Sequence, residues 1–115
     1  MVEPDRVPTE KRRFRREKHR VGCEYRIAGE VHQGILVDLS ARGLFIQSSF
    51  KPEEGTDLDI TLREPGLGEI PLRGKVCRLR FSHRSAAAVV SGGFAVEIDG
   101  APEAYFQLLV QLGLG

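Results

Sequence analysis

Residues 21 to 37 read VGCEYRIAGEVHQGILV. Val21, Cys23, Tyr25 and Ile27 alternate with Gly22, Glu24 and Arg26, the period-two pattern of a strand with one buried face. Ala28-Gly29-Glu30 supplies a turn, after which Val31, Gln33, Ile35 and Val37 continue the alternation. The stretch therefore predicts an antiparallel hairpin.

The same period recurs downstream. Leu44-Phe45-Ile46-Gln47 predicts a third strand after the loop Asp38-Leu39-Ser40-Ala41-Arg42-Gly43. Leu58, Ile60 and Leu62 alternate with Asp57, Asp59, Thr61 and Arg63, which predicts a fourth strand with one wet face. From Ile70 to Phe81, Ile70, Leu72 and Val76 hold one phase, whereas Cys77, Leu79 and Phe81 hold the other. A phase switch inside one strand predicts a bulge or sharp bend of the kind that turns a barrel corner. Ser82 to Gly93 reads either as a long connection or as a strand start at Ala87 to Val90. Phe94, Val96 and Ile98 predict the last strand.

The period then changes. Ala101, Ala104, Tyr105, Leu108, Leu109 and Leu112 form one apolar helical stripe. Asp99 or Gly100 is the expected cap, Pro102 and Glu103 suit the first turn, and Gly113 ends the helix. Six short strands followed by this helix predict a mainly β fold: a small six-stranded antiparallel β-barrel with one C-terminal α-helix at about 101–112. The stripe needs an apolar surface to cover, either an open barrel end or a second copy in a homodimer.

Bulk properties narrow the function. The chain has 115 residues, 41% hydrophobic and 29% charged, which fits one globular domain. Net charge is +1, yet Lys11 to Arg20 carries seven basic residues against one glutamate. Lys51 to Asp59 is acidic in turn, with Glu53, Glu54, Asp57 and Asp59 against Lys51. Separated charge of this kind suggests a local anion site with an acidic surface elsewhere. Residues 1–10 carry two prolines and no periodicity and read as a flexible leader. Cys23 and Cys77 lie in apolar, strand-like stretches without metal-ligand spacing, and read as small buried residues in a reducing compartment.

No apolar run approaches the length of a membrane span, so the expectation is a cytoplasmic protein without membrane insertion. His19, His32 and His83 are isolated, Ser40 lacks a nucleophile-elbow setting, and no glycine-rich phosphate loop occurs. The reading is of a protein that is not an enzyme and takes no metal or cofactor. Absent tryptophan and 7% aromatic content weigh against a nucleic-acid binder that stacks bases on aromatic platforms.

Two features remain, in a definite order. Arg-x-x-x-Arg occurs as Arg12…Arg16 and Arg16…Arg20 before the first strand, and Asp38-x-Ser40-x-x-Gly43 lies between strands two and three. This pair, in the context DLSARGLFI, resembles the PilZ domain, the bacterial receptor module for cyclic di-GMP. The resemblance covers Lys11 to about Leu112. It implies a PilZ-like barrel over residues 11–112, with a basic Arg-x-x-x-Arg loop at 11–20. Arg16 and Arg20 take the arginine roles, because Arg20 abuts the first strand; Arg12 and Arg15 are further candidates, Arg15 standing where the family tunes ligand stoichiometry. Asp38, Ser40 and Gly43 take the second motif.

The chemistry suits such a ligand. Guanidinium groups fork onto phosphates and onto guanine O6/N7, or stack on a base. A carboxylate at Asp38 accepts from guanine N1–H and N2–H₂, and Ser40 adds a donor or acceptor. Gly43 either admits close approach or takes a positive-φ turn. The resemblance further implies signalling through a downstream protein partner after the arginine-rich loop orders on the ligand, with a ligand-linked homodimer as a further possibility. Two alternatives stay open: a degenerate PilZ-like module that binds only proteins, and a small-barrel nucleic-acid binder with a basic arm.

Overall fold

The computed structural model of the chain describes residues 17–81 and 92–114. Six strands follow one another: β1 (Glu17–Ile27), β2 (Glu30–Leu39), β3 (Gly43–Gln47), β4 (Asp57–Glu64), β5 (Gly68–Phe81) and β6 (Gly92–Gly100). A single described helix, α1 (Glu103–Gln111), comes last. The strands close into an antiparallel barrel in the order β1-β2-β3-β6-β5-β4, as the periodicity predicts. Closure removes sheet edges and leaves one interior for the alternate side chains to fill. Tyr25, Leu36, Leu44, Ile46, Ile60, Leu62, Ile70, Val76 and Phe94 do so, each 1% exposed or less.

The first hairpin departs from the expected phase. The turn has two residues rather than three: Ala28 (φ 51°) and Gly29 (φ 85°) are both left-handed, and Ile27 pairs with Glu30. A two-residue turn of this hand matches the twist of the flanking strands. One residue fewer in the turn flips every side chain on β2 to the other face. His32 therefore lies opposite Tyr25, stacked with it at 5.3 Å, while Val31 and Ile35 face outward at 47% and 40% exposure. Further along, a register shift between Leu36 and Asp38 lets both Leu36 and Leu39 reach the interior, three positions apart.

Strand β1 begins four residues before Val21, so Glu17 to Arg20 are strand rather than part of a loop at 11–20. The charged residues conceal it. Glu17 and His19 are half-buried while Lys18 and Arg20 face out, and a bulge sets His19 and Arg20 against Val37 alone. On β5 the phase switch is a bulge between Val76 and Arg78. Cys77 is the unpaired residue there and is exposed, whereas Cys23 is buried; the expectation of two buried thiols fails because the bulge turns one outward. Residues 82–91, where the sequence left a connection or a strand start open, lie outside the described residues.

The helix stripe covers the barrel of its own chain. Tyr105, Leu108 and Leu109 join the same buried cluster as Leu39 and Leu44. Tyr105 also donates its hydroxyl proton to the Ser40 carbonyl at 2.7 Å, tying α1 to the β2–β3 connection. The cap is Pro102, with no side-chain hydrogen bond, rather than Asp99 or Gly100, because those two residues are still paired or bulged within β6. No described helix is long and apolar enough to cross a membrane.

Two outcomes follow from this geometry. Ala28 carries the steric cost of a left-handed alanine, so Ala28→Asn should stabilise the domain by about 1 kcal/mol in denaturant titrations. Burial raises the Cys23 thiol to about 11, so alkylation of the native protein at pH 8 should modify Cys77 and spare Cys23, with both labelled after unfolding.

Candidate ligand-binding site

The segment after β2 is held by its own serine. Ser40 is 3% exposed, and its hydroxyl oxygen accepts from the backbone N–H of Arg42 (3.3 Å) and of Gly43 (3.2 Å). The Ser40 N–H donates to the Gly43 carbonyl at 2.8 Å, and the hydroxyl lies 3.3 Å from the same oxygen. The Arg42 carbonyl accepts from Ile98 N–H of β6 at 2.9 Å. Gly43 is buried, opens β3 opposite Glu97, and is not among the positive-φ glycines. Of its two expected roles, the positive-φ turn is excluded. Ser40 and Gly43 thus shape the connection from inside, with the Ser40 oxygen directed to its own loop.

Asp38 stands on the other side of the sheet. It pairs with Lys18 of β1 and with Phe45 of β3, in register on the outer surface. Around it runs a groove of two joined compartments, about 440 and about 300 Å³, that share Lys18, Val37, Asp38, Phe45 and Arg80. Arg20 and Gln47 extend one end, joined by a hydrogen bond of 3.1 Å, and Glu17 and Arg78 lie at the other. Four cations, Lys18, Arg20, Arg78 and Arg80, thus face two carboxylates, Glu17 and Asp38. Clustered cations at a concave surface focus positive potential on it.

Of the sequence-predicted site residues, the structure brings Arg20 and Asp38 to this groove and places Ser40 and Gly43 beneath it. Arg12, Arg15 and Arg16 lie outside the described residues. Phe45, Arg78 and Arg80 did not emerge from the motifs. The spacing Arg78-x-Arg80 was the available signal, since residues two apart on a strand share a face.

A larger depression of 650 Å³ lies at the first hairpin turn, lined by Asp57, Asp59 and Asp99 with Arg26 and Arg73. Arg73 is already paired with Asp59 at 3.4 Å. Three aspartates make it a poor place for an anion, despite its size. Among the described residues, no group of His, Cys, Asp and Glu is arranged to hold a metal ion.

The end of β1 that carries Lys18 and Arg20 is fixed from inside the barrel. Backbone pairing between β1 and β4 extends only to Cys23 opposite Leu62. Beyond it, His19 and Glu64 meet at 2.8 Å between Nε2 and Oε1, with Glu64 9% exposed. This side-chain bond joins the two strands past the end of their backbone pairing. On the outer face, Arg63 binds Glu24 diagonally at 2.8 Å and holds its carboxyl below the usual range.

The architecture is therefore that of a small closed barrel with a basic external groove at the start of its first strand. A protein-family model described as the PilZ domain matches residues 10–113, and the chain belongs to that family. Among solved structures, it is similar to the PilZ domain of YcgR from Escherichia coli, determined with c-di-GMP. The TM-score is 0.72 at 17% identity, covering 90% of this chain and 91% of that one. It is also similar to the inhibitor of motility MotI/DgrA of Bacillus subtilis, with a TM-score of 0.71, 17% identity and 89% of this chain covered. The match takes in 48% of MotI, so the chain spans about half that protein's length. None of the curated proteins matches the chain.

Replacing Glu64 by alanine leaves His19 without its partner at the edge of the core. The expected loss is about 1–3 kcal/mol in urea unfolding, and Glu64→Gln, which keeps an acceptor, should lose less.

Proposed function

We propose that the chain is a PilZ-type receptor for cyclic di-GMP, acting without catalysis of its own. The observation that carries this reading is the convergence of Lys18, Arg20 and Asp38 on one open groove of the outer sheet. The cations suit the ligand's two phosphates, and Asp38 suits the N1–H and N2–H₂ edge of a guanine. YcgR, whose PilZ domain was solved with c-di-GMP, has the same fold.

In this reading Arg16 and Arg20 form the clamp, with Arg12 and Arg15 beside them. Ser40 and Gly43 support Asp38 by shaping the connection below it. Residues 11–112 are the functional unit. Charge neutralisation on binding draws the arginine-rich segment onto the barrel and changes the surface shown to a protein partner. The outer side of α1, where Phe106 and Val110 are 46% and 65% exposed, offers apolar area for that partner or for a second copy. The reading as a degenerate interaction module is weaker, because Arg20 and Asp38 are both retained at the groove.

Isothermal titration of the full chain with cyclic di-GMP tests the proposal. Arg16→Ala, Arg20→Ala and Asp38→Ala should each weaken binding by roughly 2 kcal/mol or more, about 30-fold, while Arg12→Ala should change it little. Absence of binding by the unaltered protein at micromolar ligand, or tighter salt-sensitive binding to an oligonucleotide, would overturn it.

A further inference from the structure

The wall of the groove opposite Lys18 and Arg20 belongs to β5, which neither sequence motif touches. Rows across β3, β6 and β5 show how it is built. Phe45 pairs with Ala95, which pairs with Arg78; Gln47 pairs with Gly93, which pairs with Arg80. In both rows the middle residue is small. At Gly93 it must be, since a Cβ there would meet the Ile46 carbonyl oxygen at 1.9 Å. The middle strand is therefore a low floor between two taller sides.

Across that floor the Arg80 guanidinium lies over the Phe45 ring, 5.9 Å from its centroid. Such an arrangement holds an arginine in place over a ring, and the same side chain lines both compartments of the groove. The bulge at Cys77 makes this possible. It shifts the phase of β5 so that Arg78 and Arg80 share the outer face with Asp38 and Phe45.

We propose that Arg80 is a base-stacking residue of this site and that Arg78 is a phosphate contact. Together they form a second cationic wall that grips the ligand from the side away from β1. A purine laid on the Arg80 guanidinium completes a pile of ring, guanidinium and base. Arg78 faces the phosphate carried on the same side. The inference rests on the cyclic di-GMP reading and adds to it a contact surface on a strand distant in sequence.

The test is calorimetric titration of cyclic di-GMP into the full chain carrying Arg80→Ala, Arg80→Lys, Arg78→Ala or Arg78→Lys, with thermal melts as the folding control. Because both side chains are exposed, the melts should match those of the unaltered protein. Arg80→Ala should weaken binding by about tenfold, and Arg80→Lys should not restore it, because lysine keeps the charge and loses the plane. Arg78→Ala should weaken binding about fivefold, and Arg78→Lys should recover most of it, as a point charge suffices for a phosphate. If the unaltered protein binds and both alanine variants bind within about twofold of it, the second wall is refuted while the receptor reading stands. Full recovery by Arg80→Lys overturns the stacking role. No binding by the unaltered protein removes the receptor reading and this inference together.

Discussion

A chain that reverses direction inside a packed structure must find partners for the backbone groups it takes out of water. Between β2 and β3 one residue meets much of that demand. Ser40 satisfies the N–H groups of Arg42 and Gly43 with its side chain, binds the Gly43 carbonyl with its own N–H, and offers its carbonyl to Tyr105. An unmade hydrogen bond in such a place costs about 1–3 kcal/mol, so the set acts as one unit. It joins three things that would otherwise be independent: the crossing from β2 to β3, the seating of the terminal helix, and the position of Asp38 on the outer sheet.

Irregularities in the strands do the complementary work on the outside. A barrel of six uniform strands would place alternate residues outward in a regular pattern, with no reason for cations from β1 and β5 to meet. The bulge opposite Val37 and the one at Cys77 each shift the phase of a strand, and both border the groove. Lys18, Arg20, Arg78 and Arg80 come together because of these offsets, with the small residues of β6 between them. The pair His19–Glu64 then links the β1 side to β4 where backbone pairing between those two strands has ended.

Much of the fold was legible in the alternation of residues 21–27, 57–63 and 94–98 and in the helical stripe from Ala101. The motif order also pointed to the right family. What escaped had definite physical causes. The phase of β2 depends on whether the turn holds two residues or three, and Val31 and Ile35 are apolar on the wet side, so composition argued for the wrong face. The first four residues of β1 are charged on both faces, which erases the period. The β5 wall depends on β3, β6 and β5 lying side by side, a matter of topology that no local window contains. Asp38 and Arg20 were legible because a motif names them; Phe45 and Arg80 were not, because their relation exists only across strands.

The seven-residue neighbourhood that looks like one signature, Asp38 to Leu44, thus serves two masters. Ser40 and Gly43 are tied into the folding of the connection, whereas Asp38 lines the groove on the outer sheet. Under relaxed selection for a ligand the two halves would drift at different rates: the serine and glycine would persist, and the aspartate and arginines would scatter. On the receptor reading, a surviving serine and glycine would record ancestry, and the state of the carboxylate and the guanidinium groups would record use.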